Sequence, residues 1–272
     1  MAETAKELTI ISSPRSGTNF FCDTLCEFSD VASLFEVFNA RGVFGLQRYP
    51  ELLQKITSAL GVHASDVTEP AFIKAVAENR ERFLEILRNA VTESGLAAFS
   101  YKLFPNQISQ KTLESILTNK EGCFFFITRS RIDTYISFRK AMEIDQWVNQ
   151  KTHDIEIEIT FDEFMEWGAR IDKWYENAES ILREHGQRYT IFSYNSDINV
   201  RKPNLIEKQY FSLRSFGLDA TYPLEIEPPT YRKQDAITGP FTKIANGEDL
   251  KQQLLDKKLL GRYALRAPLT RT

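Results

Sequence analysis

Short apolar runs alternate with amphipathic stretches along most of the chain. Residues 8–11, Leu-Thr-Ile-Ile, are β-branched and followed by turn formers, the mark of a buried strand. Residues 97–104 and 122–128 are two further apolar runs. The second, Gly-Cys-Phe-Phe-Phe-Ile-Thr, is nearly continuous, as in a parallel strand covered on both faces. Residues 31–38 read as a strand and its exit, broken by Ser33 and Glu36, and residues 189–194 as a fifth strand.

Between these runs the apolar spacing turns helical. Phe20, Phe21, Thr24, Leu25 and Phe28 recur at that period, and further helices are predicted over 50–60, 69–92, 109–117, 131–143, 161–184, 203–216 and 247–260. Segment 69–92 carries Phe72, Val76, Phe83, Ile86, Leu87 and Val91 along one side. Segment 161–184 carries Phe164, Trp167, Ile171, Trp174, Ala178 and Ile181, a stripe suited to a core or to a subunit interface. Ser109 offers a helix start and Gly217 a helix stop. Residues 147–158 read as irregular and polar, 223–229 as extended, and the basic stretch 261–272 as a loose tail.

Strands alternating with helices, without repeats or long linkers, predict one α/β domain over 1–272. Its sheet is expected to be parallel, with right-handed crossovers and ligands outside the carboxyl ends of the strands. Arg15, Glu36, Lys102 and Arg129 all follow or end predicted strands, so one sheet edge is expected to gather them. The 34 basic and 37 acidic residues leave a net charge of −3, so no global field draws the chain to nucleic acid or to an anionic membrane. An anionic ligand must then be held by local Arg and Lys clusters. Cys22, Cys26 and Cys123 form no disulfide framework and lack metal co-ligands. With a polar start and no apolar run of about 20 residues, the expectation is a cytoplasmic protein with no integral membrane segment and no metal.

The chemistry concentrates in 12–19, Ser-Ser-Pro-Arg-Ser-Gly-Thr-Asn, a small polar loop between a strand and a helix. Loop N–H groups and a helix N-terminus suit an anion. Arg15 adds a full charge, Gly17 permits close backbone approach, and Ser16 and Thr18 add hydroxyls. The Gly-x-x-x-x-Gly-Lys-Ser/Thr form of such a loop is not met, because its Lys and first Gly are missing. Pro14 to Thr18 resembles instead the 5′-phosphosulfate loop of sulfotransferases that use 3′-phosphoadenosine 5′-phosphosulfate (PAPS), read there as Pro-Lys/Arg-Ser/Thr-Gly-Thr/Ser. A second resemblance lies at Arg129 and Ser137, eight residues apart. That family places an Arg at a strand end and a Ser eight residues on against the 3′-phosphate, although Arg129-Ser130-Arg131 replaces its usual Arg-Asp-Pro. A terminal phosphate suits a bidentate guanidinium with a hydroxyl donor.

Weaker likenesses extend the resemblance over roughly 8–260. Tyr194 stands where the family has strand-Tyr-Glu, with Asn195 in place of the Glu. Thr230-Tyr231-Arg232-Lys233-Gln234 resembles the C-terminal Lys-Gln segment of the bacterial trehalose and lipopolysaccharide-type enzymes, where Arg232 or Lys233 would close over the nucleotide. The resemblance implies a P-loop-like three-layer sandwich with a central parallel sheet. It implies transfer of a sulfuryl group from PAPS to a hydroxyl of a carbohydrate or glycolipid, with 3′-phosphoadenosine 5′-phosphate (PAP) as product. Pro14, Arg15, Ser16, Gly17, Thr18, Asn19, Arg129, Ser137, Tyr194, Arg232 and Lys233 would hold the nucleotide. Arg15 and Lys102 would face the leaving 5′-phosphate, and related enzymes can be homodimers.

The acceptor needs a base. The His that often follows the strand Lys is absent, since Lys102 precedes Leu103, Phe104 and Pro105. Glu36, flanked by Phe35, Val37 and Phe38, lies in an apolar setting that can raise a carboxyl pKa. Trehalose-type enzymes carry their base about there, and His153 is the other contender, with Trp147 a candidate for stacking on a sugar. Structurally, Glu36 would pair with Arg41 or another cation. Two rivals stay open. A P-loop kinase or NTPase would want a Lys before the last loop hydroxyl and an Asp after the apolar strand, where Asn19 and Arg129 stand. A non-catalytic nucleotide-binding protein of the same fold would keep Arg129 and Ser137 without a base.

Overall fold

The computed structural model describes residues 4–145, 155–231 and 239–269. Five strands are β1 (Lys6–Ser12), β2 (Val31–Ser33), β3 (Ala98–Leu103), β4 (Gly122–Thr128) and β5 (Tyr189–Ser193). They form one sheet in the order β2-β3-β1-β4-β5, and every pairing is parallel. Helices flank it: α1 (Thr18–Leu25), α2 (Pro50–Leu60), α3 (Pro70–Glu78), α4 (Arg80–Glu93), α5 (Gln110–Leu117), α6 (Arg131–Glu143), α7 (Phe161–Glu184), α8 (Lys202–Ser215) and α9 (Gly247–Asp256).

The strand period splits the core into two layers. Along β4, Cys123, Phe125 and Ile127 face one way and join Leu8, Ile10, Phe21 and Leu25 under α1 and α8. Phe124 and Phe126 face the other way and join Ile11, Phe99 and Tyr101 under α2, α4 and α7. The expected α/β sandwich is therefore present, with the sheet covered on both faces. The α7 stripe belongs to this core: Phe164, Trp167, Ile171, Ala178 and Ile181 are buried within the chain itself.

Three expectations change. The single helix predicted over 69–92 is two helices, α3 and α4. Asn79 leaves helical geometry at φ −129° and ψ 45°, and its Nδ2 donates to the Ala75 carbonyl at 3.0 Å, competing with the helical ladder. The second strand shrinks to three residues, Val31–Ser33, before the chain turns out of the sheet. The tail expected to be loose is docked over 261–269. Gly261–Leu265 forms a π-helical turn with Tyr263 and Ala264 buried. Arg131 Nη1 donates to the carbonyls of Arg262 at 2.7 Å and Arg266 at 3.3 Å. Asp172 ties this clip together, accepting from Arg131 Nε at 2.5 Å and pairing with Arg262 Nη2 at 2.8 Å.

Parallel pairing sends the ends of β1, β2, β3 and β4 to one edge, where Arg15, Glu36, Lys102 and Arg129 follow or end their strands. Among the described residues no helix is long and apolar enough to cross a membrane.

The clip yields a stability prediction. Arg131 is buried, so Asp172→Ala strands its charge and should cost about 3–5 kcal/mol in chemical denaturation. Arg262→Ala removes a half-exposed partner and should cost at most about 1 kcal/mol. Equal losses in the two variants would contradict this account of the docked tail.

Candidate anion and acceptor site

The loop after β1 is stitched from behind before it presents anything in front. Trp174 Nε1 on α7 donates to the Ser12 carbonyl at 2.9 Å, and Ser12 Oγ donates to the Ile127 carbonyl of β4 at 2.8 Å. Its neighbour Tyr175 accepts from the Ser13 N–H at 3.0 Å and donates to the same Ile127 carbonyl at 2.7 Å. Burial pushes the Tyr175 phenol above its ordinary range, so it stays a donor. Ser16, expected to offer its hydroxyl outward, is buried and shares it with Ser13 at 2.9 Å, so that hydroxyl serves the loop.

The loop backbone enters the left-handed region at Arg15 (φ +70°) and Gly17 (φ +87°). Gly17 is also the N-cap of α1, and no side chain caps that helix end. A Cβ on Gly17 would lie 2.8 Å from Tyr194 Cδ2 and 3.0 Å from Ile198 Cγ2. Glycine is thus required twice, by conformation and by the Tyr194 ring pressed against it. Pro14 and Thr18 flank this turn, with Thr18 opening the helix.

Two guanidinium groups meet here. Arg129 Nη1 donates to the Arg15 carbonyl at 2.9 Å, and its guanidinium lies 4.2 Å from the Tyr194 ring centroid. Arg15 Nε donates to Ser137 Oγ on α6 at 3.0 Å. Burial, and then the Arg129 charge, push the Arg15 guanidinium down to about 10, which leaves it protonated at neutral pH. Among the described residues no carboxylate pairs with Arg129. Partly buried like charges raise each other's cost, and an anion lowers it. The sequence assigns Arg15 to one phosphate and Arg129 with Ser137 to another. In the structure the two sets form one cluster, because the Arg15 side chain reaches Ser137.

Beside it stands a second, neutralised group. Lys102, 1% exposed at the end of β3, donates to Asn19 Oδ1 of α1 at 2.6 Å and pairs with Glu36 Oε1 at 3.3 Å. Its ammonium lies over the Phe35 and Phe104 rings, at 5.1 and 5.4 Å from their centroids. The Glu36 side chain remains 23% exposed. Its other oxygen accepts from Asn39 Nδ2 at 2.8 Å and Gln107 Nε2 at 3.3 Å. The cation on Glu36 is therefore Lys102, and Arg41 pairs instead with Asp145 at 3.8 Å on the surface. Asn19 links this group to the loop that carries Arg15.

Every described candidate from the sequence thus falls in one neighbourhood, while Arg232, Lys233, Trp147 and His153 lie outside the described residues. The chain leading to Arg232 is strapped to α1. The Thr230 N–H donates to Asp23 Oδ2 at 3.2 Å, and the Tyr231 ring lies 6.0 Å from Phe35. Sequence reasoning missed Asn39, Gln107 and Tyr175. Tyr175 was legible only as the neighbour of Trp174, one position off the apolar stripe. Gln107 and Asn39 sit in loops, where no periodicity marks a side chain that turns inward. Among the described residues no group of three or more His, Cys, Asp or Glu side chains is arranged for a metal ion.

No protein-family model matches the chain, and no curated protein does. Among solved structures, the chain is similar to the sulfotransferase domain from the Synechococcus PCC 7002 olefin synthase, at 13% identity and a TM-score of 0.46. The match covers 93% of this chain and 96% of that domain.

Gly17→Ala tests the loop geometry. The left-handed backbone alone should cost about 1–2 kcal/mol, and the contact with Tyr194 adds to it. Adding Tyr194→Ala removes the contact but not the backbone strain, so the double variant should be less destabilised than the sum of the two single variants. Strict additivity in denaturant titrations would show that the ring does not enforce glycine.

Proposed function

We propose that this chain is a PAPS-dependent sulfotransferase acting on a hydroxyl of a carbohydrate or glycolipid. The observation that carries the reading is the Arg15–Arg129 cluster at the uncapped start of α1, with a carboxylate–lysine pair beside it. An anion site and a candidate base thus adjoin through Asn19. The donor set fits a nucleotide with two phosphates: two guanidinium groups, the Ser137 hydroxyl and the N–H groups of a left-handed turn.

Bound PAPS would supply the sulfuryl group: the acceptor oxygen bonds to sulfur as the bond from sulfur to the 5′-phosphate oxygen breaks, and that oxygen keeps the electron pair. The chain's own residues do the rest. Arg15 binds and neutralises the 5′-phosphate side, where charge grows; Lys102, expected beside it, is buried and matched by Glu36 and Asn19. Arg129, stacked on Tyr194, and Ser137 hold the 3′-phosphate. The shared contact between Arg15 and Ser137 keeps the two phosphate sites in fixed relation, which aligns an in-line displacement. Glu36 takes the acceptor proton. Its side chain is 23% exposed, which leaves it within reach of an incoming hydroxyl. A strand that ends in Arg129, and a loop without its Lys, favour this reading over phosphoryl transfer with Mg²⁺.

Three measurements test it. PAP at about 100 times its dissociation constant should add roughly 2.7 kcal/mol of stability, against little from MgATP. A larger melting shift with MgATP would point to a kinase or NTPase. Arg129→Ala should lose the preference for PAP over adenosine 5′-phosphate, at a cost of about 1.5–3 kcal/mol. Glu36→Gln should lower turnover by roughly 10²–10⁴ and leave PAP affinity unchanged. Full turnover in that variant would remove Glu36 from the reaction.

A further inference from the structure

Two carboxamides fix the orientation of the Glu36 carboxylate. Asn39 Nδ2 and Gln107 Nε2 both donate to Oε2, at 2.8 and 3.3 Å. Neither amide can present its oxygen instead. Asn39 Oδ1 already accepts from the Arg41 N–H at 2.8 Å, and Gln107 Oε1 from the Phe104 N–H at 2.9 Å. Each amide oxygen is committed to a backbone donor, so each NH₂ faces the carboxylate.

The backbone around Gln107 is shaped for this. Asn106 turns left-handed at φ +67° directly after Pro105 and folds Gln107 back over the end of β3. The Gln107 N–H donates to the Phe104 carbonyl at 3.3 Å, and Arg80 reaches the Gln107 carbonyl from α4 at 3.4 Å. A non-glycine residue in that conformation carries a cost, which the contacts made by Gln107 offset.

We propose that Gln107, together with Asn39, is a positioning residue for the acceptor base. The pair holds Glu36 by Oε2. Oε1, which among the described residues accepts only from Lys102, is then the oxygen that takes the acceptor proton. This inference rests on the reading of Glu36 as the base.

Nuclear magnetic resonance of the full chain tests the contact without any turnover. The Gln107 and Asn39 carboxamide proton signals should move in Glu36→Ala, and an unmoved Gln107 signal overturns the proposal. Turnover is then measured with PAPS and octyl glucoside as acceptor. Gln107→Leu keeps the side-chain bulk without the donor. It should lower kcat about tenfold or more, a part of what a base contributes, and leave KM and the PAP melting shift as they were. In a Glu36→Gln background it should cause no further loss, because it acts only through that carboxylate. Independent, multiplying losses in the double variant would mark a merely structural role and sink the proposal. Full activity of Gln107→Leu beside an inactive Glu36→Gln would overturn the positioning role alone. Absence of transfer by the unmodified chain, with no PAP stabilisation, would instead fail the sulfotransferase reading, and the resonance signals would still decide whether Gln107 holds Glu36.

Discussion

The parallel pairing of β1 with a neighbour on each side is the constraint from which the site follows. Ile10 aligns with Lys102 on β3, and Ser12 with Ile127 on β4. The loop that begins at Ser13 therefore leaves the sheet beside both cations of the neighbouring strands. A slip of one residue in either pairing would reverse which face Lys102 or Ile127 presents, because side chains alternate along a strand. The register is guarded by apolar layers on both faces, and Phe124, Phe125 and Phe126 each have one place to go.

Charge is then treated in two ways at the same sheet edge. Lys102 is almost wholly buried, and it is matched by Glu36, by Asn19 and by two aromatic faces. Arg129 has a backbone carbonyl and the Tyr194 ring, with no carboxylate among the described residues. The first arrangement is balanced within the chain. The second carries excess positive potential, which an anionic ligand would offset. Binding energy and structural stability thus pull apart at the same sheet edge. The polar stitching behind the loop, through Trp174 and Tyr175, holds the cationic side in place.

The helix that supplies this stitching also holds the C-terminal turn. Helix α7 contributes Trp174 and Tyr175 to the loop and Asp172 to the clip that docks the tail. One long helix therefore braces the loop after β1 and the C-terminal turn together. Its polar positions lie next to the apolar stripe, so burying the stripe carries them inward.

Much of this was legible in the chain itself. Periodicity marked the five strands, and the limits of 122–128, 131–143 and 161–184 agree with β4, α6 and α7 residue for residue. The reason is local: a continuous apolar run or an amphipathic repeat can bury itself in only one way. The loop at 14–18 and the strand-end cations were legible too, because a parallel sheet sends strand ends to one edge. Local pattern misjudged the break at Asn79 and the docked turn at 261–265, where a side-chain amide and a buried aspartate outweigh propensity. What only the tertiary structure decided is who meets whom. Lys102 as the partner of Glu36, Ser137 as the partner of Arg15, and the amides of Asn39 and Gln107 on one carboxylate oxygen all cross long sequence separations or turn inward from loops. Such contacts leave no period in the chain, because they are set by strand order and by loop backbones in left-handed geometry rather than by the spacing of neighbouring residues.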